Sequence, residues 1–147
     1  MSEILVEETV DRPIGAVWAV VSDVTGHRLP LTHVTTDPGE PGVGWRFAGV
    51  TALGPLRFTD SMVVTRWTPP SPERPDYAEY AVVKTGRLLS GWAEVTLESV
   101  AAARTTVRWR EEIVVHPYAL GRLAAPLTDR AVRAMFRRAV AEMLSRA

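Results

Sequence analysis

Two carboxylates lie on strand-like segments whose other side chains on the same face are apolar. Asp60 alternates with Phe58 and Met62, and Glu111 alternates with Trp109. A charge on an apolar face is costly unless it is paired, and burial raises the pKa of a carboxyl group. Asp60 and Glu111 are therefore candidates for a pair of cavity carboxylates that orient a ligand hydroxyl or transfer a proton.

A structural role is the competing interpretation of the same two residues. Each carboxylate would then form an internal ion pair with an arginine such as Arg66, or lie at a strand end that reaches water. If the protein is an enzyme, the candidate catalytic residues are Asp60, Glu111 and Tyr80, since the tyrosine belongs to the same predicted face of the sheet.

Metal-dependent and nucleophilic chemistry lacks support in the sequence. The chain contains no cysteine, which excludes disulfides, thiolate ligands and cysteine nucleophiles. His27, His33 and His116 match no metal-ligand spacing. No phosphate loop, nucleophile elbow or nucleotide-binding fingerprint occurs. We therefore expect neither a metal nor a cofactor.

The charges of the chain balance overall but are divided unevenly. With 17 basic and 17 acidic residues the net charge is zero, which does not suit a protein whose main partner is nucleic acid. Segment 117–147 has six arginines against two acidic residues, or +4, so the other 116 residues carry −4. A basic helix can bind phosphates or a membrane surface, but a solvent-exposed arginine face on a helix packed in its own domain explains the pattern as well.

Hydrophobic periodicity predicts the elements that position these residues. A first helix begins at Pro13 and ends near Val24, and a turn or a second short helix follows. From Tyr118 the spacing predicts a short helical piece, a bend at Pro126 and a main helix to Ser145. Strands are predicted over residues 4–10, 34–36, 44–50, 56–67, 76–85, 89–99 and 104–115.

These elements predict an α+β protein with an antiparallel sheet of about six to seven strands, because short connections join sequential strands. We expect a single domain over residues 1–147, long enough to bury a core or an internal cavity. The N-terminus lacks the pattern of an export signal, so the expected location is cytoplasmic. No apolar run approaches the ~20 residues that a bilayer requires, so we expect no membrane insertion.

The order of these elements resembles the helix-grip (SRPBCC) superfamily, which contains START lipid-transfer domains, birch-pollen-allergen-like proteins and bacterial polyketide cyclase/dehydrase-like proteins. The resemblance covers nearly the whole chain. It rests on VEETVDRP at 6–13 leading into VWAVVSD at 17–23, GVGWRF at 42–47, WTPP at 67–70 and TVRW at 106–109. It implies a helix-grip fold, with the sheet wrapped around a long C-terminal helix, one or two short helices after the first strand, and a hydrophobic ligand pocket. It implies no shared catalytic motif.

If the concave face of the sheet packs against that helix, the alternation of side chains along each strand indicates which residues line the pocket. A one-residue error of register would reverse the face of any strand. Trp67 is expected on the outward face of the sheet or at its rim. Trp92 is expected on the outward face, where it could take part in a homodimer contact. The predicted ligand-binding residues are Trp45, Phe47, Phe58, Met62 and Trp109 from the strands, and Val132, Met135, Phe136 and Met143 from the helix.

Three hypotheses about function follow. The first is binding of a hydrophobic small molecule, such as a lipid, a polyketide or an aromatic metabolite, between the sheet and the terminal helix. The second is an enzyme of polyketide cyclase or dehydratase type in which the cavity carboxylates move protons. The third is a protein-interaction or chaperone-regulating module, which a large exposed apolar patch around Trp92 would favour.

Overall fold

The structure, a computed structural model, describes residues 3–26 and 31–116 and, further on, residues 134, 137, 138, 140–142 and 144–146. One helix, α1 (Ile14–Val21), and a single 3-10 turn at Val24–Gly26 follow the first strand. The strands are β1 (Glu3–Val10), β2 (Thr32–Thr36), β3 (Arg46–Leu53), β4 (Leu56–Thr68), β5 (Tyr77–Thr85), β6 (Leu89–Ala101) and β7 (Arg104–Val115).

The seven strands form one antiparallel sheet in the order β1-β7-β6-β5-β4-β3-β2. Strands β2 to β7 pair with their neighbours in sequence, and β1 pairs with β7 at the opposite edge of the sheet from β2. The predicted antiparallel sheet and the short helices after the first strand are therefore confirmed. The central strands of the sheet are β6, β5 and β4, and two of these carry the chemistry described below.

One face of the sheet is buried, and we call it the inner face. Its buried side chains include Val64 on β4, Val82 on β5, Val95 on β6 and Val107 on β7. Helix α1 packs into the same core through Val17 and Val21. Alternation along a strand puts every second side chain on one face, so the remaining side chains form an outer face.

The described part of the C-terminal segment also contacts this core. Residues 134, 137, 138, 140–142, 144 and 145 are helical, and Val140 and Leu144 are buried in the core cluster. The Arg146 guanidinium donates a hydrogen bond of 2.9 Å to the carbonyl oxygen of Gly26 in the 3-10 turn. The predicted bend at Pro126 and most of the predicted long helix lie outside the described residues.

Helix α1 is shorter than the sequence predicted. It ends at Val21, although we expected its end near Val24. The backbone N–H and the side-chain hydroxyl of Ser22 both donate to the carbonyl oxygen of Trp18, at 2.9 and 2.7 Å. Serine side chains that bond to the local backbone compete with helix continuation, which explains the early end.

A β-bulge changes the register within β4. Val64 pairs with Val82 and Arg66 pairs with Ala81, so Thr65 is an extra residue on one side of the ladder. Beyond the bulge Arg66 belongs to the outer face and Trp67, opposite Tyr80, belongs to the inner face. The Trp67 ring lies 5.1 Å from the ring of Trp18 and 5.6 Å from that of Tyr80, so it lies inside the sheet rather than outside it.

Helices long and apolar enough to cross a membrane do not occur among the described residues.

Candidate ligand-binding site

A buried ion-paired cluster interrupts the apolar inner face. The Lys84 ammonium of β5 lies 2.6 Å from Asp60 Oδ2 on β4 and 3.1 Å from Glu111 Oε1 on β7. Only 3% of the Lys84 side chain and 3% of the Glu111 side chain is exposed, whereas 22% of the Asp60 side chain is exposed. The two predicted carboxylates are thus joined through one lysine, and we call the three residues the Lys84 cluster.

The cationic partner differs from the one we expected. Arg66 was the proposed partner, but the bulge in β4 places it on the outer face, where it bonds to Glu79 and Glu94. The Arg66 interpretation is therefore wrong, and an inner-face lysine takes its place. Lys84 is the only lysine in the chain, and it continues the alternation of Tyr80 and Val82 along β5. That alternation was the signal that could have identified it.

The sheet geometry explains how one lysine reaches both carboxylates. Lys84 pairs with Gly91 on β6, and β6 separates β5 from β7. Neighbouring strands lie about 4.8 Å apart, so the lysine side chain crosses β6 to reach Glu111. Gly91 has no side chain to obstruct that path. Its φ of +125° and the nearby carbonyl oxygen of Glu112 leave no room for a Cβ, so this position requires glycine.

Burial and pairing shift the pKa values of the cluster. Burial alone would lower the pKa of Lys84, but Glu111 and Asp60 outweigh it and the pKa is raised. Burial raises the pKa of Glu111, while Lys84 and the indole N–H of Trp109 act in the opposite direction. The lysine therefore stays protonated at neutral pH, because two carboxylates surround it in a site with little water.

The hydrogen bonds of the cluster leave one oxygen open. Both oxygens of Glu111 are engaged, since Oε1 meets Lys84 and Oε2 accepts from Trp109 Nε1 at 3.3 Å. Asp60 Oδ2 accepts from Lys84, whereas its buried Oδ1 accepts no hydrogen bond from the described residues. Of the two carboxylates, Asp60 is the one with an unused acceptor and some solvent exposure.

Tyr80, the third candidate catalytic residue, makes a hydrogen bond to the backbone of α1. It is buried, and its hydroxyl donates a hydrogen bond of 3.1 Å to the carbonyl oxygen of Val21 at the end of α1. Burial raises the pKa of the phenol far above its ordinary value, and the charge of Glu111 adds to the rise. Because its single proton is directed at the backbone of α1, Tyr80 fixes that helix to the sheet.

The predicted lining residues fall at different distances from the cluster. Met62 and Trp109 contact it directly: the sulfur of Met62 lies 3.8 Å from Lys84 Nζ, and Trp109 bonds to Glu111. Phe47 pairs with Met62, and its ring lies 5.8 Å from that of Trp45. Phe58 is half-buried, further along β4. Val132, Met135, Phe136 and Met143 lie outside the described residues and stay predictions.

The outer face carries both ion pairs and exposed apolar side chains. Arg110 bonds to Glu3 and to Glu94, and its guanidinium lies 5.4 Å from the centre of the Trp92 ring. Arg66 continues this network from Glu94 to Glu79. Trp92 is thus outside the sheet, as expected, but among ion pairs. Val63 pairs with Val83, which is 40% exposed, and Val83 pairs with Trp92, so apolar side chains also lie in a row on this face.

Clusters of three or more side chains of the types that ligate metals do not occur among the described residues.

Several solved structures share the fold at low sequence identity. A Thermus thermophilus protein, TTHA0849, is 13% identical with a TM-score of 0.75, over 99% of this chain and 96% of that one. The aromatase/cyclase Zhui of a Streptomyces species is 18% identical with a TM-score of 0.67, over 99% and 94%. Norcoclaurine synthase of Thalictrum flavum, in complex with dopamine and hydroxybenzaldehyde, is 14% identical with a TM-score of 0.59, over 97% and 86%. No curated protein matches the chain in sequence.

The fold and the sequence together define the class. The model of a family described as polyketide cyclase / dehydrase and lipid transport matches residues 1–147, and the chain belongs to that family. The resemblance to the helix-grip superfamily is thereby confirmed. The family is associated with small-molecule ligands, and its description combines catalysis with transport.

Proposed function

We propose that this protein binds a hydrophobic small molecule against the inner face of its sheet and holds the polar end of that molecule at the Lys84 cluster. The ligand would occupy the space between the inner face and the C-terminal helix. The observation that carries the proposal is the Lys84 cluster itself, two carboxylates and a lysine buried on an otherwise apolar face.

A buried ion pair is a poor stabilising device. Its desolvation cost often exceeds its Coulombic gain, and well-packed apolar side chains at the same place are frequently as stable or more so. A cluster of this kind with an unused oxygen on Asp60 therefore supports recognition of a ligand better than it supports a purely structural role. The apolar neighbours Met62 and Trp109 would contact the body of the ligand.

The test is a binding experiment with a neutral aromatic probe, 1,8-dihydroxyanthraquinone, followed by tryptophan fluorescence and by the thermal unfolding midpoint. Ligand at about 100 times its Kd stabilises the folded state by about 2.7 kcal/mol, which is readily measured. Met62→Ala removes apolar contact from the inner face and should weaken binding severalfold. Val63→Ala, on the same strand but the opposite face, is the matched control and should leave binding unchanged.

Two results would count against the proposal. In the first, neither the probe nor a second neutral apolar dye such as Nile red changes the unfolding midpoint of the protein. Alternatively, both variants would alter binding equally, which would place the probe away from the inner face.

An enzyme of cyclase or dehydratase type is the second candidate, and the unused oxygen of Asp60 is the observation that favours it. A carboxylate oxygen free of protein donors is suited to accept a proton from a bound substrate. Glu111 and Tyr80 are less suited, because their polar atoms are engaged within the protein. Asp60→Asn should then abolish conversion of a linear poly-β-keto thioester that still binds, and an unchanged rate would remove Asp60 from the mechanism.

A further inference from the structure

The Lys84 ammonium has no proton left for a ligand. Its three donors have three partners: Asp60 Oδ2 at 2.6 Å, Glu111 Oε1 at 3.1 Å and the sulfur of Met62 at 3.8 Å. The cation is therefore present in the site but already saturated. A ligand carboxylate or phosphate would have to displace one of these partners to reach it.

The open position of the cluster is an acceptor. Asp60 Oδ1 receives no hydrogen bond from the described residues, and an ionised carboxylate can only accept. With both carboxylates ionised, the cluster carries two negative charges and one positive charge. Among the described residues, Lys84 is the one cation with a buried side chain, so no second buried cation offsets this excess.

Each member of the cluster has a small residue opposite it on a neighbouring strand. On the strands that flank the cluster, Gly49 pairs with Asp60, Gly91 pairs with Lys84 and Ala93 pairs with Glu111. None of the three has a side chain that reaches across the inner face and donates a hydrogen bond. A donor for Asp60 Oδ1 is thus not supplied by its neighbours in the ladder.

From this arrangement we infer that the site selects its ligand by the polar end: it takes a hydrogen-bond donor, neutral or cationic, and excludes an anion. A phenol, an alcohol or an ammonium group satisfies Asp60 Oδ1, whereas a fatty-acid or aromatic carboxylate meets the excess negative charge. The inference rests on the proposed function and narrows it to hydroxylated or amine-bearing apolar ligands.

Four naphthalenes with one apolar body test this selectivity by titration of the intact protein: 2-naphthol, 2-methoxynaphthalene, 2-naphthoate and 2-naphthylmethylammonium. A hydrogen bond to a charged group makes 2-naphthol bind about tenfold more tightly than 2-methoxynaphthalene, or about 1.4 kcal/mol. The ammonium compound should bind at least as tightly as 2-naphthol. The carboxylate should bind more weakly than the methoxy compound.

Asp60→Asn reverses the polarity of the open position. The amide oxygen must face the Lys84 ammonium, which leaves the amide N–H₂ where Oδ1 was. The variant should therefore lose the preference for 2-naphthol over 2-methoxynaphthalene and bind 2-naphthoate more tightly than the natural protein does. Asp76→Asn, an exposed carboxylate before β5, is the matched control and should change none of the four affinities.

The outcomes separate the two proposals. Equal affinity for all four compounds, or a preference for 2-naphthoate, overturns the donor selectivity and leaves hydrophobic binding intact. Absence of binding by all four naphthalenes and by 1,8-dihydroxyanthraquinone overturns the proposed function as well. The comparison within the natural protein does not depend on the folding of any variant.

Discussion

Replacement of Lys84 by methionine isolates the energetics of the cluster, because methionine keeps much of the side-chain volume and removes the charge. Two carboxylates then lose their counterion in a buried site. Removing one partner of a buried ion pair costs about 3–5 kcal/mol. Since 22% of the Asp60 side chain remains exposed, water relieves part of this cost, and we expect the lower end, about 3 kcal/mol.

For a chain of this length, a loss of about 3 kcal/mol lowers the unfolding midpoint by about 6–12 °C. Urea unfolding followed by tryptophan fluorescence measures the same loss as a lower midpoint with an unchanged slope. Arg87→Met, which removes an exposed cation from the β5–β6 connection, is the control and should shift the midpoint little.

The pH dependence of this variant gives a second check. Without Lys84, burial holds the pKa of Glu111 above its ordinary value of 4.5, so the folded state binds more protons than the unfolded state as the pH rises past that value. Stability of the variant must then fall with rising pH, and the loss relative to the natural protein should be larger near pH 8 than near pH 5. A loss below about 0.5 kcal/mol, the usual size for a surface substitution, would refute the reasoning.

Three further predictions concern the surroundings of the cluster. Gly91→Ala places a methyl group against the carbonyl oxygen of Glu112 at a φ of +125°, and urea unfolding should show a loss above about 1 kcal/mol; an unchanged midpoint contradicts the required glycine. Tyr80→Phe removes the hydrogen bond that the phenol donates to the Val21 carbonyl oxygen and should cost about 1 kcal/mol in the same assay, whereas a stabilised variant contradicts this role. Because the pKa of Lys84 is raised in the folded state, the stability that its charge contributes is complete below its ordinary pKa of 10.5 and is lost as the pH rises above that value. The urea midpoints of the natural protein and of Lys84→Met should therefore converge above pH 10.5. A constant difference between the two midpoints contradicts the raised pKa.

Much of the sheet was predictable because most of its strands alternate regularly over their length. The predicted strand at 104–115 coincides with β7, and the others differ from β1 to β6 by only a few residues at their ends. Strand ends are set by turn and pairing geometry rather than by periodicity, as at β2, which begins two residues earlier than predicted. The antiparallel pairing of the sequential strands β2 to β7 followed from their short connections, whereas the pairing of β1 with β7 did not.

The partner of the two carboxylates was not predictable in the same way. Alternation placed Asp60 and Glu111 on one face, and along β5 it assigns Lys84 to the same face, but it does not show which side chains meet across the sheet. That choice depends on the pairing of Lys84 with Gly91, which lets a side chain from β5 cross β6. Register between strands is a tertiary property, and a single sequence contains only indirect signs of it.

The bulge at Thr65 divides β4 into two segments of opposite phase. Asp60 lies in the first segment and Trp67 in the second, so each segment presents its own side chains inward under its own alternation. A regular ladder that kept Thr65 would invert the second segment, turning the Arg66 guanidinium into the core and the Trp67 indole out to solvent, whereas deletion of Thr65 would leave Val64, Arg66 and Trp67 on the faces they have now. The bulge thus reconciles the ligand end and the aromatic end of the strand, which uninterrupted alternation of the present sequence would place on opposite faces of the sheet.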